Sequence, residues 1–145
     1  MWGRFGRLKM NKKVSVFYIF LFNTLLYALY IFIVSTSPTA PGAETGQEVT
    51  PYFSYITHYF LYFGFSYFIF VTYNESSTYL KHPYLATIMS ASIYGLIIEV
   101  VQYFLPYRHF SFLDIVINVF GAISLVTIAF IFRTRFKGKN MELFF

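Results

Sequence analysis

The chain has 145 residues, of which 57% are hydrophobic and only 12% are charged, and its net charge is +5. Soluble domains carry about 25% charged residues, so this composition excludes an ordinary soluble domain and indicates a small membrane protein of one domain. Cysteine is absent, which excludes disulfides, thiolate nucleophiles and cysteine metal sites. The basic residues flank apolar runs, a pattern typical of membrane topology signals and not of nucleic-acid binding.

Four apolar runs follow one another along the chain, and each has about 20 residues, the length that crosses a bilayer as a helix. Polar connections with Pro, Gly or charged residues separate these runs. The predicted spans are at about 14–34, 54–73, 84–105 and 112–132. The sequence therefore predicts an all-α fold, a polytopic membrane protein whose domain 14–132 is a four-transmembrane-helix bundle.

Positive charge predicts the orientation, because cytoplasmic segments next to spans are enriched in Lys and Arg. Segment 1–13 has five such residues and the tail 133–145 has four, whereas the connection between the first two spans has none. Arg108, in the third connection, is the exception. We predict a cell-membrane protein with both terminal segments cytoplasmic. A secretory signal is the alternative for the first span, although that span is longer than the usual ~7–15-residue apolar region.

Ionisable and amide side chains concentrate around the short connection between the third and fourth spans. Glu99 lies inside the third span, and Gln102 follows three residues later on the same helix face. Asp114 opens the fourth span, Asn118 lies one turn deeper, and Arg108 stands between the two spans. An ionised carboxylate at depth is costly without a partner. Because the two spans are antiparallel, these side chains should meet in the outer half of the membrane and form a functional site.

His58 begins the second span and belongs to the same outer half of the membrane. The predicted functional pocket comprises Glu99, Gln102, Arg108, Asp114, Asn118 and His58. Structural roles are the alternative for several of these residues. Amides often join helices, and Asp114 could close a capping box with Ser111. Gly95 and Gly121 are predicted to permit close helix approach.

The chemistry of this residue set leaves several functions open. The guanidinium of Arg108 suits a phosphate or carboxylate ligand. A buried carboxyl group near His58 could serve as a general acid or base, or as a proton relay in a transporter. The spacing of the two carboxylates and the histidine along the chain matches no standard metal pattern, so neither a metal nor a cofactor is predicted.

The region from Tyr94 to Gly121 resembles the VanZ-like family. The family pattern is a glycine, then E-x-x-Q, a short loop with R-x-x-S-x-x-D, and N-x-x-G. The matching residues are Gly95, Glu99, Gln102, Arg108, Ser111, Asp114, Asn118 and Gly121. Ser35–Pro38 and the pair His58 and Tyr62 also look like the family, but the Asp-Lys that often precedes this histidine is missing, and Leu125 replaces a frequent glycine.

The resemblance implies a role in the cell envelope and a connection with tolerance of the lipoglycopeptide teicoplanin. The leading hypothesis is a pocket that binds a lipid-linked or lipophilic ligand. The expected partners are membrane lipid and a lipid-linked envelope precursor or a lipoglycopeptide. Catalysis stays open: one alternative is an enzyme acting on an envelope lipid precursor with Glu99 or Asp114 as acid or base. Others are a small proton-coupled transporter that uses Glu99, and a purely structural membrane partner.

Overall fold

The computed structural model describes residues 12–39, 51–75 and 82–135. These residues form four helices: α1 (Lys12–Thr36), α2 (Pro51–Glu75), α3 (Pro83–Tyr103) and α4 (Phe112–Arg135). Each predicted span falls on one helix, which confirms the all-α class. Most of the two basic terminal segments and of the first two connections lies outside the described residues, so the predicted domain boundaries stay predictions.

The helix boundaries follow from local sequence chemistry. Proline begins both α2 and α3, where its missing N–H is not needed and its fixed φ favours the first helical turn. The end of α3 comes two residues earlier than the predicted 105, because the chain turns there. In this turn the backbone N–H of Leu105 donates to Gln102 O, and that of Arg108 donates to Leu105 O. The connection Phe104–Ser111 then leads into α4.

The order of contacts shows an up-down-up-down bundle. The α1–α2 pair is antiparallel, with Thr24 Oγ1 2.9 Å from Thr72 Oγ1. The α2–α3 pair is also antiparallel, with Tyr73 Oη 2.8 Å from Ser90 Oγ. By contrast, α2 and α4 run in the same direction. We call the end of the bundle at the α3–α4 connection the hairpin end; the C-terminus of α1 and the N-terminus of α2 lie there too.

Helix α2 is central, since it packs against each of the other three helices. Its polar residues recur every four positions and are buried; they are Ser54, His58, Tyr62 and Ser66. Residues four apart lie on one face of a helix, so these side chains form a stripe that points into the bundle. Phe65 and Ile69 flank the stripe and pack in the apolar core with Ile31 and Ile98.

The outward surface of the bundle is apolar. In α1 large hydrophobic side chains such as Phe22, Leu25 and Leu29 are exposed, and the same holds for the outer faces of α3 and α4. Such continuous exposed apolar surface is typical of contact with lipid and not with water. Three described helices are long and apolar enough to cross a membrane, at Val16–Thr36, Pro83–Tyr103 and Phe112–Arg135. The chain is therefore a multi-pass membrane protein.

Candidate functional site

The junction between α3 and α4 is organised by Glu99. The backbone N–H of Ser111 donates to Glu99 Oε2 at 3.1 Å, and Ser111 Oγ accepts from the backbone N–H of Asp114 at 3.2 Å. Ser111 is thus the N-cap of α4. In a complete capping box the acid at Asp114 would bind the N–H of Ser111. Here Glu99 takes that N–H instead, which leaves the Asp114 carboxylate available for other contacts.

Asp114 turns its carboxylate toward α2. Its Oδ2 lies 3.9 Å from Nε2 of His58, and both side chains are largely buried. This distance exceeds that of a hydrogen bond. Its other oxygen, Oδ1, is buried with no hydrogen-bond partner in the part of the chain that the structure describes. The first acid of α4 therefore does more than complement the helix dipole, because it faces an imidazole across the helix interface.

His58 is held from its other side by Asn118. Nδ1 of His58 lies 3.1 Å from Oδ1 of Asn118, and both residues are buried. An amide oxygen can only accept, so Nδ1 carries the proton in this pair. In the neutral ring the lone pair of Nε2 then faces the Asp114 carboxylate. The Asn118 amide thus sets both the orientation and the tautomer of the imidazole.

Two glycines let the helices come close enough for these contacts. A Cβ atom at Gly121 would lie 2.7 Å from the backbone oxygen of Tyr59 and 3.0 Å from the backbone nitrogen of Phe63. The backbones of α2 and α4 therefore touch at Gly121. A Cβ atom at Gly95 would lie 3.1 Å from Asn118 Nδ2. Gly95 makes room for the amide that orients His58.

Arg108 brings positive charge to the same place from the α3–α4 connection. Its side chain is only 6% exposed. Burial lowers the pKa of the guanidinium, and the negative charges of Asp114 and Glu99 oppose that shift. Arg108 is therefore a buried cation with two acids nearby, and its side chain does not extend away from the bundle.

Five of the six predicted pocket residues come together at the hairpin end, and we call them the polar cluster. They are His58, Glu99, Arg108, Asp114 and Asn118. Gln102 is buried but serves a different contact, because its Nε2 donates to Ser35 O at 2.8 Å. Tyr107 likewise donates to Thr36 O at 3.0 Å. These two side chains satisfy carbonyl groups that the last turn of α1 leaves without partners.

The predicted pocket includes only His58 of the α2 stripe and leaves out Ser54, Tyr62 and Ser66. Tyr62 is 0% exposed and packs beside Gly95, and Ser66 is also fully buried. The hydroxyl groups of both have no hydrogen-bond partner among the described residues. The signal in the sequence was the four-residue spacing from Ser54 through His58 to Ser66, within a segment otherwise rich in aromatic residues.

The polar cluster retains binding capacity that the protein itself does not use. Besides Asp114 Oδ1, the buried atoms Glu99 Oε1 and Asn118 Nδ2 have no partner within the described segments. Buried polar atoms are nearly always paired in folded proteins, and an unpaired one costs about 1–3 kcal/mol. Three such atoms within one cluster that also holds a guanidinium and an imidazole form a site that can accept polar groups of a ligand.

The arrangement defines a class of protein: a multi-pass helical membrane protein with a polar cluster buried at one end of its bundle. The chain belongs to the VanZ/LLP1 family, whose model matches residues 7–133. This confirms the predicted VanZ-like resemblance. No curated protein and no solved structure matches the chain.

Proposed function

We propose that this VanZ/LLP1 protein binds the polar headgroup of a lipid-linked or lipophilic ligand at its polar cluster. One observation carries this proposal: three helices and one connection bring two acids, a guanidinium, an imidazole and an amide into a single buried cluster with unpaired polar atoms. Arg108 would contact an anionic group of the ligand, because its guanidinium suits phosphate and carboxylate. Glu99 and Asp114 would hold Arg108 in place or bind other polar groups of the ligand.

We propose further that all four helices cross the membrane and that the hairpin end lies at the outer face. Helix α2 has the length of a span, and its polar stripe faces the other helices, so its outer face can meet lipid. The basic terminal segments would lie in the cytoplasm because they hold most of the positive charge. The polar cluster would then lie at headgroup level in the outer leaflet, within reach of envelope lipids and of lipophilic antibiotics.

The absence of cysteine allows a direct test of this topology. His109 and Arg135 are exposed and lie at opposite ends of the bundle. Whole cells that carry His109→Cys or Arg135→Cys would be treated with a membrane-impermeant maleimide. We expect labelling of His109→Cys in intact cells and of Arg135→Cys only after permeabilisation. The reverse pattern would place the polar cluster on the cytoplasmic side.

Ligand binding is testable with purified protein in nanodiscs. A polyprenyl phosphate and phosphatidylglycerol are the anionic probes, and phosphatidylcholine is the neutral one. The control for Arg108→Gln is Arg133→Gln, because Arg133 is exposed at the other end and donates to Asn74 Oδ1 at 3.2 Å. We expect at least a roughly 10-fold weaker binding of the anionic probe for Arg108→Gln, since charge-assisted hydrogen bonds are the strong ones. Equal binding by both variants would disprove the proposed role of Arg108.

Acid–base catalysis on an envelope lipid precursor is the second candidate, and the placement of His58 favours it. Its Nε2 faces Asp114 while its Nδ1 is held by Asn118. A base oriented by a third group is the arrangement that general acid–base catalysis needs. Incubation of the purified protein with a radiolabelled lipid-linked precursor would separate the two candidates. Product that forms with wild type and not with His58→Gln favours catalysis, and binding without product favours a binding protein.

The physiological consequence would be tolerance of teicoplanin. A lipoglycopeptide carries an acyl chain that can insert into the outer leaflet and polar groups that remain at headgroup level. A protein that binds such a molecule, or the lipid-linked precursor that it attacks, would lower the amount of drug acting on its target.

A further inference from the structure

We propose that His58, Glu99 and Asp114 bind a divalent transition-metal ion of the zinc class. Each residue offers one ligand atom, and these atoms all lie within 4.8 Å of one another. They come from α2, α3 and α4, so an ion here would join three helices. Metal binding itself does not depend on the function proposed above, because it concerns these three side chains alone.

The imidazole is already arranged as a metal ligand. A ligating histidine usually donates its second N–H to an oxygen of a neighbouring group, which fixes the ring and its tautomer. Asn118 Oδ1 supplies that contact at His58 Nδ1, at 3.1 Å. The lone pair of Nε2 then points toward Asp114 Oδ2 at 3.9 Å. Two electron-rich atoms that face each other beyond hydrogen-bond distance gain favourable contacts from a cation between them.

Glu99 and Tyr62, two fully buried side chains with unpaired polar atoms, support the metal site independently of the His58 geometry. Glu99 is 0% exposed; its Oε2 accepts from the Ser111 backbone, and its Oε1 has no partner among the described residues. Tyr62 is also 0% exposed, and its hydroxyl group has no partner there either. A carboxylate oxygen buried in a membrane protein without a partner is costly. A metal ion next to His58 and Asp114 would satisfy Glu99 Oε1.

The donor set selects the kind of ion. Ca²⁺ and Mg²⁺ prefer sites made of oxygen ligands alone. One imidazole nitrogen with two carboxylate oxygens suits Zn²⁺ or a related transition metal. Ligand atoms around tetrahedral Zn²⁺ are about 3.3 Å apart, given bonds of ~2.0 Å, so the three side chains must close in on the ion. Three protein ligands leave a fourth position open.

The charge of the ion would change what the cluster can attract. Two carboxylates outnumber the single guanidinium of Arg108, so they weaken the attraction that Arg108 exerts on an anionic group. A divalent cation reverses this balance of charge. The open position and Arg108 could then hold two oxygens of one phosphate or carboxylate group. This last step, and only this one, rests on the proposed ligand binding.

The spacing of the ligands along the chain could not predict this site. Standard metal motifs place two or more ligands on one short segment, whereas His58 lies 41 residues before Glu99, and Asp114 follows 15 residues later. The three residues meet only because α2 and α4 are in backbone contact at Gly121 and the α3–α4 hairpin is tight.

The test is metal uptake by the full-length protein in detergent, purified without a histidine tag and stripped with a chelator. Zn²⁺ alone is titrated against a competing indicator, and bound zinc is counted by mass spectrometry after dialysis. The variants are His58→Gln, Glu99→Gln and Asp114→Asn. The matched controls are His109→Gln and Glu75→Gln, which change a histidine and an acid outside the polar cluster.

We expect one Zn²⁺ per wild-type chain and per control chain, with affinity at least ~10-fold lower in each ligand variant. Glu99→His, which replaces one ligand by another, should retain part of the affinity that Glu99→Gln loses. Absence of stoichiometric uptake by wild type would overturn the proposal, and so would equal uptake by wild type and all three ligand variants.

Zinc-edge X-ray absorption of the loaded wild type makes the test independent of variant folding. The predicted spectrum has the multiple scattering of one imidazole and otherwise oxygen ligands at ~2.0–2.2 Å. A shell with no imidazole would exclude His58 and contradict the site. Lipid binding is measured separately, so a protein that binds lipid without zinc would refute only the metal site.

Discussion

The two ends of the helix bundle differ in the kinds of polar side chain they contain and in how these side chains are paired. Toward the end opposite the α3–α4 connection, two pairs of hydroxyl groups join neighbouring helices: Thr24 with Thr72 and Tyr73 with Ser90. The buried Thr87 hydroxyl donates to Pro83 O of its own helix, and the Ser66 hydroxyl, nearer the middle of α2, has no partner among the described residues. At the hairpin end, acids, a guanidinium and an imidazole gather, and buried atoms of Glu99, Asp114 and Asn118 have no partner among the described residues.

This difference separates two uses of polarity in a membrane protein. Paired hydroxyl groups join helices at a modest gain of about 0.6 kcal/mol each. A charged cluster with unpaired atoms costs more than such a pair gains, and this cost is the reason for proposing that the cluster has a function. Substitutions at the two ends of the bundle should therefore differ in their effects on stability and on ligand binding.

The largest effect on stability is expected at Arg108. Arg108→Met leaves Glu99 and Asp114 buried without their counter-charge, and breaking a buried charge pair in this way costs about 3–5 kcal/mol. Unfolding would be measured by thermal or SDS titration in detergent with a chelator present. The double variant Arg108→Met with Glu99→Gln removes one of the excess charges and should recover part of the loss. A single variant that is as stable as wild type would show that the cluster is not electrostatically coupled.

A smaller effect is expected where the backbones of α2 and α4 touch. Gly121→Ala places a Cβ atom 2.7 Å from the Tyr59 carbonyl oxygen. The helices must then separate, which overpacking data put at about 1–3 kcal/mol. Gly64→Ala is the matched control, because the nearest atoms to its Cβ belong to the Tyr27 side chain and not to the backbone of a neighbouring helix. If the two variants lost the same stability in the same unfolding assay, close backbone approach would not be what Gly121 provides.

The smallest effect is expected from the opposite half of the bundle. Thr72→Val removes the hydroxyl that pairs with Thr24, at a cost of about 0.6 kcal/mol. Ligand binding and zinc uptake should not change, because the polar cluster is untouched. A change in either function would mean that this half of the bundle takes part in the function as well.

The sequence predicts the helices well because long apolar runs and their polar breaks are local properties. It also predicts most of the cluster, since antiparallel α3 and α4 must place Glu99 and Asp114 at the same end. Three features depend on pairing between distant segments and could not be read locally. The first is the hydrogen bond from the Ser111 backbone N–H to Glu99, and the second is the hydrogen bond from Gln102 to the end of α1. The third is the approach of His58 to Asp114.

The case of Gln102 shows the limit of motif reasoning most clearly. It shares a helix face with Glu99 three residues earlier, which predicts that both enter one pocket. In the structure Gln102 is one turn nearer the helix end, where its amide meets Ser35 O at the end of α1. Asn118, one amide of the motif, therefore orients His58, whereas Gln102, the other, hydrogen-bonds a carbonyl group at the end of α1.

Antibiotic susceptibility tests the central claim, that the polar cluster is the functional part of the molecule, most directly. A Gram-positive host that lacks the protein would express wild type, Glu99→Gln, Asp114→Asn or the control Thr72→Val at matched membrane levels, with teicoplanin titrated beside vancomycin. We predict that wild type and Thr72→Val raise the inhibitory concentration of teicoplanin, and that both cluster variants lose this protection. Protection by the cluster variants equal to wild type, or none from well-inserted wild type, would contradict the account.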